Sequence, residues 1–263
     1  MQTVCRNEII HCIQSLGISK GDGLMVHSAV QYLGKPVGGI GMYYDALHSV
    51  IGSEGTVVVP TFTFSFARTG RYDLKSTPSK EMGVFSEYVR LLPNAVRTKH
   101  PMSSFAAIGK LANTLVGRDT PSAYDPGSAV ELMIESDFKL LLLGADIQAA
   151  SIIHYCEQRA NVPYRYWKDF SGQVKIGDQW LEKSYRMFVR DLKIDPDVRA
   201  RPIQDEMKKK GLLKQVKLNY GWIAVCLLQD FVKVADEMLA RNPWILVSNY
   251  RPGTMKASEG CPP

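Results

Sequence analysis

The sequence predicts a layered α/β/α sandwich around a mainly parallel mixed sheet, with a C-terminal region covering one end of it. Three observations carry this reading. Short apolar strands alternate with helix-period segments through the first 160 residues. The run Lys139-Leu140-Leu141-Leu142-Leu143-Gly144 is apolar without alternation, as strands buried on both faces are. A chain of 263 residues with 45% apolar side chains also has material for a large core.

The elements follow in order. Residues 2–16 place apolar side chains at Val4, Cys5, Ile9, Ile10, Ile13 and Leu16, a helical period closed by Gly17. Residues 23–28 read as a short buried strand. A loop bearing Gly34, Gly38, Gly39 and Gly41 opens a helix that runs to about Val50. Residues 55–62 form a second strand, and Thr61 to Phe66 alternates Thr or Ser with Phe before a polar loop. A helix over 83–92 is stopped by Pro93. A strand over 104–109, a helix over 128–134, the Leu-rich strand and a helix over 151–160 complete the first part. After Pro163 the chain turns aromatic-rich, and 164–192 reads as strands and turns. A short basic helix over 203–210, a strand over 221–228 and an amphipathic helix over 231–239 follow. Residues 249–263 lack an apolar period and are expected to be a flexible tail.

Charge is distributed unevenly. Residues 1–158 carry 13 basic and 14 acidic side chains, residues 159–217 carry 15 and 8, and residues 218–263 carry 4 of each. The excess therefore lies in one stretch, which argues against a uniform nucleic-acid coat and for one local basic surface. No apolar run approaches the ~20 residues that span a bilayer, and the N-terminus has no signal-peptide pattern. The five cysteines (5, 12, 156, 226 and 261) are odd in number and form no C-x-x-C, which suits reduced thiols in a cytoplasmic protein.

Of the five histidines, His11 and His48 lie inside expected helices and read as structural. His27, His100 and His154 lie at or beside expected strand ends, where α/β folds place ligands. Glu157 follows His154 by three residues and shares its helix face, so the carboxylate can fix the imidazole tautomer. His27, His100 and His154 lack H-x-H or H-x-x-x-H spacing, so no metal is expected. No G-x-S-x-G is present for a serine hydrolase. The Gly38-Gly39-Ile40-Gly41 loop opens a helix and suits either a phosphate or a plain turn.

Taken in order, these segments resemble the aminoglycoside 3-N-acetyltransferase family, acetyl-CoA-dependent enzymes distinct in fold from the GNAT acetyltransferases. The matching blocks are His27-Ser28-Ala29-Val30, Gly38-Gly39, residues 52–63 (Gly52 to Thr63), residues 83–90 (Gly83 to Arg90), residues 97–109 (Arg97 to Gly109), Gly127-Ser128-Ala129, Leu140 to Gly144, and Ser151-Ile152-Ile153-His154-Tyr155-Cys156-Glu157. They span about residues 5–165.

The resemblance implies an acyl-CoA-dependent N-acyltransferase, acetyl by default, with acetyl-CoA as co-substrate and no metal. His154 would be the general base on the acceptor amine and Glu157 its partner. Ser151, where the family usually has Thr, would bring a hydroxyl to the thioester or oxyanion. His27, Ser28, Gly38, Gly39, Thr61, Ser103, Ser104 and Phe105 are implied to line the CoA channel, and His100 to shape the same cleft. The chain is then one acyltransferase domain over 1–248, with 1–160 as CoA side and catalytic core and 161–248 as acceptor side.

The chain departs from the family on the acceptor side. Arg165, Tyr166, Trp167 and Lys168 are expected to meet the acceptor, and Arg186, Arg190, Arg199 and Arg201 follow. Polycationic antibiotics call for carboxylates, whereas this set suits an anionic, partly planar ligand. The expected acceptor is an amino sugar carried on a nucleotide, as in surface-polysaccharide biosynthesis; the alternative is a free aminoglycoside. From other classes, a non-catalytic RNA or anionic-ligand binder lacks any matching motif, and a metal-dependent hydrolase would need the three histidines to converge. No nucleic-acid partner and no membrane insertion are expected; a homodimer is compatible with the sequence.

Overall fold

The structure, a computed structural model, describes residues 2–251. Most of the tail expected over 249–263 lies outside the described residues. The elements are β1 (Thr3–Val4), α1 (Arg6–Ser15), β2 (Gly23–Ser28), β3 (Lys35–Pro36), α2 (Gly41–Ile51), β4 (Thr56–Pro60), α3 (Phe66–Thr69), β5 (Arg71–Asp73), α4 (Gly83–Arg90), β6 (Val96–Arg97), β7 (Phe105–Gly109), α5 (Ala112–Val116), α6 (Ala129–Glu135), β8 (Lys139–Leu143), α7 (Ile152–Arg159), β9 (Arg165–Ile176), β10 (Gln179–Arg190), α8 (Arg201–Lys209), β11 (Lys214–Leu218), β12 (Gly221–Leu227) and α9 (Leu228–Arg241).

A seven-stranded mixed sheet runs in the order β11-β12-β8-β2-β4-β7-β6. Its centre, β8-β2-β4, is parallel, and the strands on either flank are antiparallel. Side-chain alternation builds the two outer layers. From β8, Leu141 and Leu143 join Leu24, Val26, Val57 and Val59 under α1, α2 and α4. Leu140 and Leu142 join Met25 and Val58 on the other face, under α6, α7, α8 and α9. Both faces are covered, which is why the Leu run carries no polar positions.

Topology gathers the chemistry-bearing residues at one edge. The parallel strands β2, β4 and β8 all end there, at Ser28, Pro60 and Leu143. Strand β7 is antiparallel to β4 and therefore begins there, with Phe105 opposite Pro60. A second sheet, β10-β9-β5, stands beside this edge as a hairpin of two twelve-residue strands with a short third strand. Its two-residue turn places Gly177 at φ +61, a conformation that suits glycine. Phe66, Tyr72, Met102, Val174 and Tyr185 form a small core beneath it.

Strands β1, β3, β5, β6 and β11 and helices α3 and α5 are not anticipated by the sequence pattern; Thr3–Val4, read as part of a helix over 2–16, instead pairs with β3. Strand β11 reads Lys-Gln-Val-Lys-Leu at the margin of the sheet, where charge on an exposed edge hides the strand signal. Helix α8 begins at Arg201, two residues earlier than expected, because Pro202 fits its first turn.

Candidate active site

Helix α7 presents Ile152, Ile153, Tyr155 and Cys156 to the core, and its inward face also buries Glu157 completely. A buried carboxylate requires partners. Glu157 Oε2 lies 2.8 Å from His154 Nδ1 and 2.9 Å from Arg165 Nη2. Burial pushes the Glu157 carboxyl up, but the bond from His154 and the Arg165 guanidinium outweigh it, leaving it below the ordinary value.

Arg165 Nη2 also lies 3.3 Å from His154 Nδ1. Nδ1 cannot accept from Arg165 while donating to Glu157. The shorter contact to the anion sets the tautomer, with the proton on Nδ1. Among the described residues, every hydrogen bond of the His154 ring is made by Nδ1. Nε2 is left as the unprotonated nitrogen, on a side chain 42% exposed.

His154 lines a cavity of about 620 Å³ at the sheet edge. Its walls come from the loop after β4 (Phe62, Phe64), the segment between β6 and β7 (His100, Ser103), the loop before α6 (Ser122, Tyr124), Gln148, helix α7 (His154, Gln158), strands β9 and β10 (Arg165 and residues 186–190) and residues 197–199. Four arginines (165, 186, 190 and 199) face one carboxylate, Asp197. Arg165 is paired with Glu157, and Arg199 with Asp197 at 2.9 Å. The Arg186 guanidinium lies 3.9 Å over the Trp167 ring.

His27 and His100 are both buried and both held neutral. His27 Nε2 accepts from the Ser151 amide at 3.2 Å, with the Ser151 hydroxyl also at 3.2 Å. Burial, and secondarily the nearness of His154, pulls His27 down to about 4. His100 Nδ1 accepts from the Ser103 amide at 3.1 Å, its ring packs 4.9 Å from Tyr185, and burial pulls it down to about 4.

Of the residues singled out from sequence, His154, His100, Ser103 and Arg165 line the cavity, and Glu157 stands behind His154. Ser151 and His27 lie buried at the start of α7. Thr61 and Ser104 do not reach the cavity; they bond each other at 3.1 Å and both accept from Arg97 Nε at 3.1 Å. Phe105 packs edge-on against Phe62 in the core. Ser28 ends β2, and Gly38 and Gly39 form an exposed turn at φ +88 and +87 before α2; none of the three is a wall residue. Trp167 packs against Arg186 but lines a neighbouring groove instead of the cavity, and Tyr166 and Lys168 are not wall residues either, Lys168 packing over Phe170. Among the described residues no group of three His, Cys, Asp or Glu side chains is placed to hold a metal ion. None of their helices is long and apolar enough to cross a membrane.

Sequence reasoning passes over Tyr124, Gln158 and Arg97. Tyr124 sits in a polar loop with no periodic signal. Gln158 acts only through a tertiary contact. Arg97 enters the sequence reading only as the first residue of the block over 97–109, with no role assigned to it.

The family model for aminoglycoside 3-N-acetyltransferase matches residues 25–240. Aminoglycoside N(3)-acetyltransferase IV from Salmonella is 29% identical over 245 residues, covering 91% of this chain and 89% of that protein. Aminoglycoside N(3)-acetyltransferase VIII from Streptomyces fradiae is 28% identical, covering 70% and 71%. Among solved structures, the AAC-IIIb binary complex with CoASH superposes with a TM-score of 0.82 at 20% identity, covering 95% of this chain and 100% of that one. The AAC(3)-IVa apoenzyme superposes with a TM-score of 0.78 at 26% identity, covering 94% and 92%. A mutant of AAC(3)-IVa has been solved with apramycin at 26% identity, with a TM-score of 0.77 and covering 92% and 95%. With the match running through both the sheet edge and the hairpin that wall the cavity, the chain belongs to the aminoglycoside 3-N-acetyltransferase family and is an acetyl-CoA-dependent N-acetyltransferase.

Proposed function

We propose that this enzyme acetylates the amine of an amino sugar carried on a nucleotide diphosphate, with His154 as general base. The observation that carries the base assignment is the His154 ring: Nδ1 is engaged by buried Glu157, and Nε2 is unengaged at the cavity. An amine must lose a proton as it attacks the thioester carbonyl, and a positioned histidine typically contributes ~10²–10⁴-fold. Glu157 and Arg165 hold the ring, and Glu157 stabilises the imidazolium that forms. The returned proton goes to the departing CoA thiolate.

The acceptor assignment rests on the cavity's charge. Arg186 and Arg190 have no carboxylate partner within salt-bridge distance among the described residues. Guanidinium groups suit phosphates, and Arg186 packs over Trp167, whose ring lines the adjoining groove. Residues 1–160 then serve mainly the donor and residues 161–248 the acceptor, within one domain.

The second reading is a free aminoglycoside acceptor. A mutant relative has been solved with a gentamicin and with apramycin. In this chain, a groove on the far side of Tyr124 and Gln158 carries Glu131 and Glu135, charges of the sign such a ligand needs.

CoA release measured against nucleotide-linked amino sugars and against aminoglycosides separates the two. Turnover of aminoglycosides alone overturns the anionic acceptor. Arg186→Glu separates donor from acceptor binding, since the same cations would suit the CoA diphosphate. It is expected to raise the acceptor KM at least tenfold and leave the acetyl-CoA KM nearly unchanged. The reverse pattern assigns this cation to the donor.

A further inference from the structure

The cavity wall carries a buried hydroxyl with no hydrogen bond of proper geometry among the described residues. Tyr124 is 6% exposed and lines the cavity beside His154 and Ser103. Its ring packs edge-on 6.0 Å from the His154 ring. The Ser103 and Ser151 hydroxyls lie close to the phenol, yet its oxygen makes no hydrogen bond of proper geometry among the described residues. Buried polar groups are nearly always paired, and an exception in a reaction cavity points to a ligand.

The loop that carries this phenol is clamped. Gln158 Oε1 accepts from the Ser122 hydroxyl at 2.8 Å, and Gln158 Nε2 donates to Asp125 Oδ1 at 2.8 Å. Asp125 Oδ2 accepts from the Ser122 amide at 2.9 Å, and the Tyr124 amide donates to the Ser122 hydroxyl at 3.3 Å. The Arg186 amide ties the same loop to β10 through Pro121 O at 2.9 Å. Both ends of the Gln158 amide thus hold the loop to the helix that carries His154. Burial also raises the phenol above its ordinary value, so it remains protonated at neutral pH. A fixed, protonated donor without an acceptor of its own is what oxyanion stabilisation requires.

We propose that the Tyr124 hydroxyl donates a hydrogen bond to the thioester carbonyl oxygen as it becomes an oxyanion. This rests on the reading of His154 as base in this cavity. The amine nitrogen forms a bond to the carbonyl carbon, and the C=O π electrons move onto oxygen, where the Tyr124 O–H meets them without giving up its proton. His154 Nε2 takes the N–H proton. The C=O bond re-forms, the C–S bond breaks, and the thiolate recovers the proton from His154. Tyr124 ends as it began.

The test is Tyr124→Phe beside His154→Ala, with acetyl-CoA and whichever amine the parent enzyme turns over. Tyr124→Phe is expected to lower kcat by about 10²–10³-fold. Both KM values, CoA affinity and the melting temperature should stay near parental, because the lost hydroxyl makes no hydrogen bond of proper geometry among the described residues. The pH at which kcat rises should not move, since His154 is intact. A Tyr124→Phe enzyme with kcat within about threefold of the parent, beside an inactive His154→Ala, overturns the proposal and leaves the hydroxyl a solvated wall group. Full turnover by His154→Ala overturns the base assignment instead. If Tyr124→Phe melts early, Tyr124→Met at the same temperature decides: equal melting with retained kcat also overturns the proposal.

Discussion

His27 and Ser151 meet through one nitrogen: His27 Nε2 lies 3.2 Å from both the amide and the hydroxyl of Ser151, residues 124 apart in the chain. That contact ties the end of a central parallel strand to the first turn of the helix that carries His154. It works only while Nε2 is unprotonated, because the Ser151 amide can only donate.

The first prediction concerns pH. His27 and His100 are both held down to about 4, against an ordinary value of 6.5, chiefly by burial. Above 6.5 both are neutral folded or unfolded, and they add no pH dependence. Between about 6.5 and 4 the unfolded chain binds protons that the folded chain does not, so stability falls as pH falls. Each histidine contributes on the order of 1.4 kcal/mol per pH unit at most in that window. Glu157 and Glu87, held below their ordinary value, act only at lower pH. Melting temperature is expected to drop steadily from pH 6.5 to 4.5, and His27→Gln should make the slope shallower. A flat profile down to pH 5 would contradict the burial of both rings.

The second prediction concerns Arg97. Its guanidinium donates to Thr61 O, to Thr77 O at 2.6 Å, and to the Thr61 and Ser104 hydroxyls, and it stacks on Tyr72. All these acceptors are neutral, so the buried cation is held by hydrogen bonds and the face of the Tyr72 ring, with no ion pair; burial lowers its pKa. Arg97→Met strands the Thr77 carbonyl and takes one donor each from Thr61 O and from the Thr61 and Ser104 hydroxyls, which still bond one another, at roughly 1–3 kcal/mol for a group left unsatisfied and less for the others. Chemical denaturation should report a loss of several kcal/mol. Ser104→Ala, by contrast, should cost about 1 kcal/mol and leave the KM for acetyl-CoA unchanged, since Ser104 is a member of this network and not a cavity wall.

Legibility in the sequence follows periodicity. The Leu140–Leu143 run and the His154/Glu157 pair each follow the spacing of one element and stand in the structure as read, while the helix read over 2–16 holds only over Arg6–Ser15, with Thr3–Val4 pairing as a strand instead. Contacts between distant segments carry no such signature. Arg165 is visible in the sequence as a cation for the acceptor, yet its partner is Glu157, and Thr61 reads as a lining residue because nothing local points to Arg97. Tyr124 depends on Gln158 gripping a loop more than 30 residues upstream, a relation that only the tertiary fold creates.

The last prediction addresses the pair that holds the candidate base. Glu157 is wholly buried and Arg165 nearly so, and Arg165 Nη1 is fixed by Phe188 O at 3.1 Å. Arg165→Met removes the guanidinium from the buried carboxylate, which breaks an ion pair in a poorly solvated place and should cost ~3–5 kcal/mol. Glu157→Gln alone should also destabilise, because it leaves the guanidinium without its anion. The double variant removes both charges and is expected to recover part of the loss, a positive coupling that a double-mutant cycle in denaturant reads directly. Activity should separate from stability in the same set. Arg165→Met keeps the His154–Glu157 bond and should retain measurable turnover, whereas the double variant loses the carboxylate and should fall much further. Full activity in the double variant would mean that Glu157 serves the fold alone and that His154 needs no anionic partner.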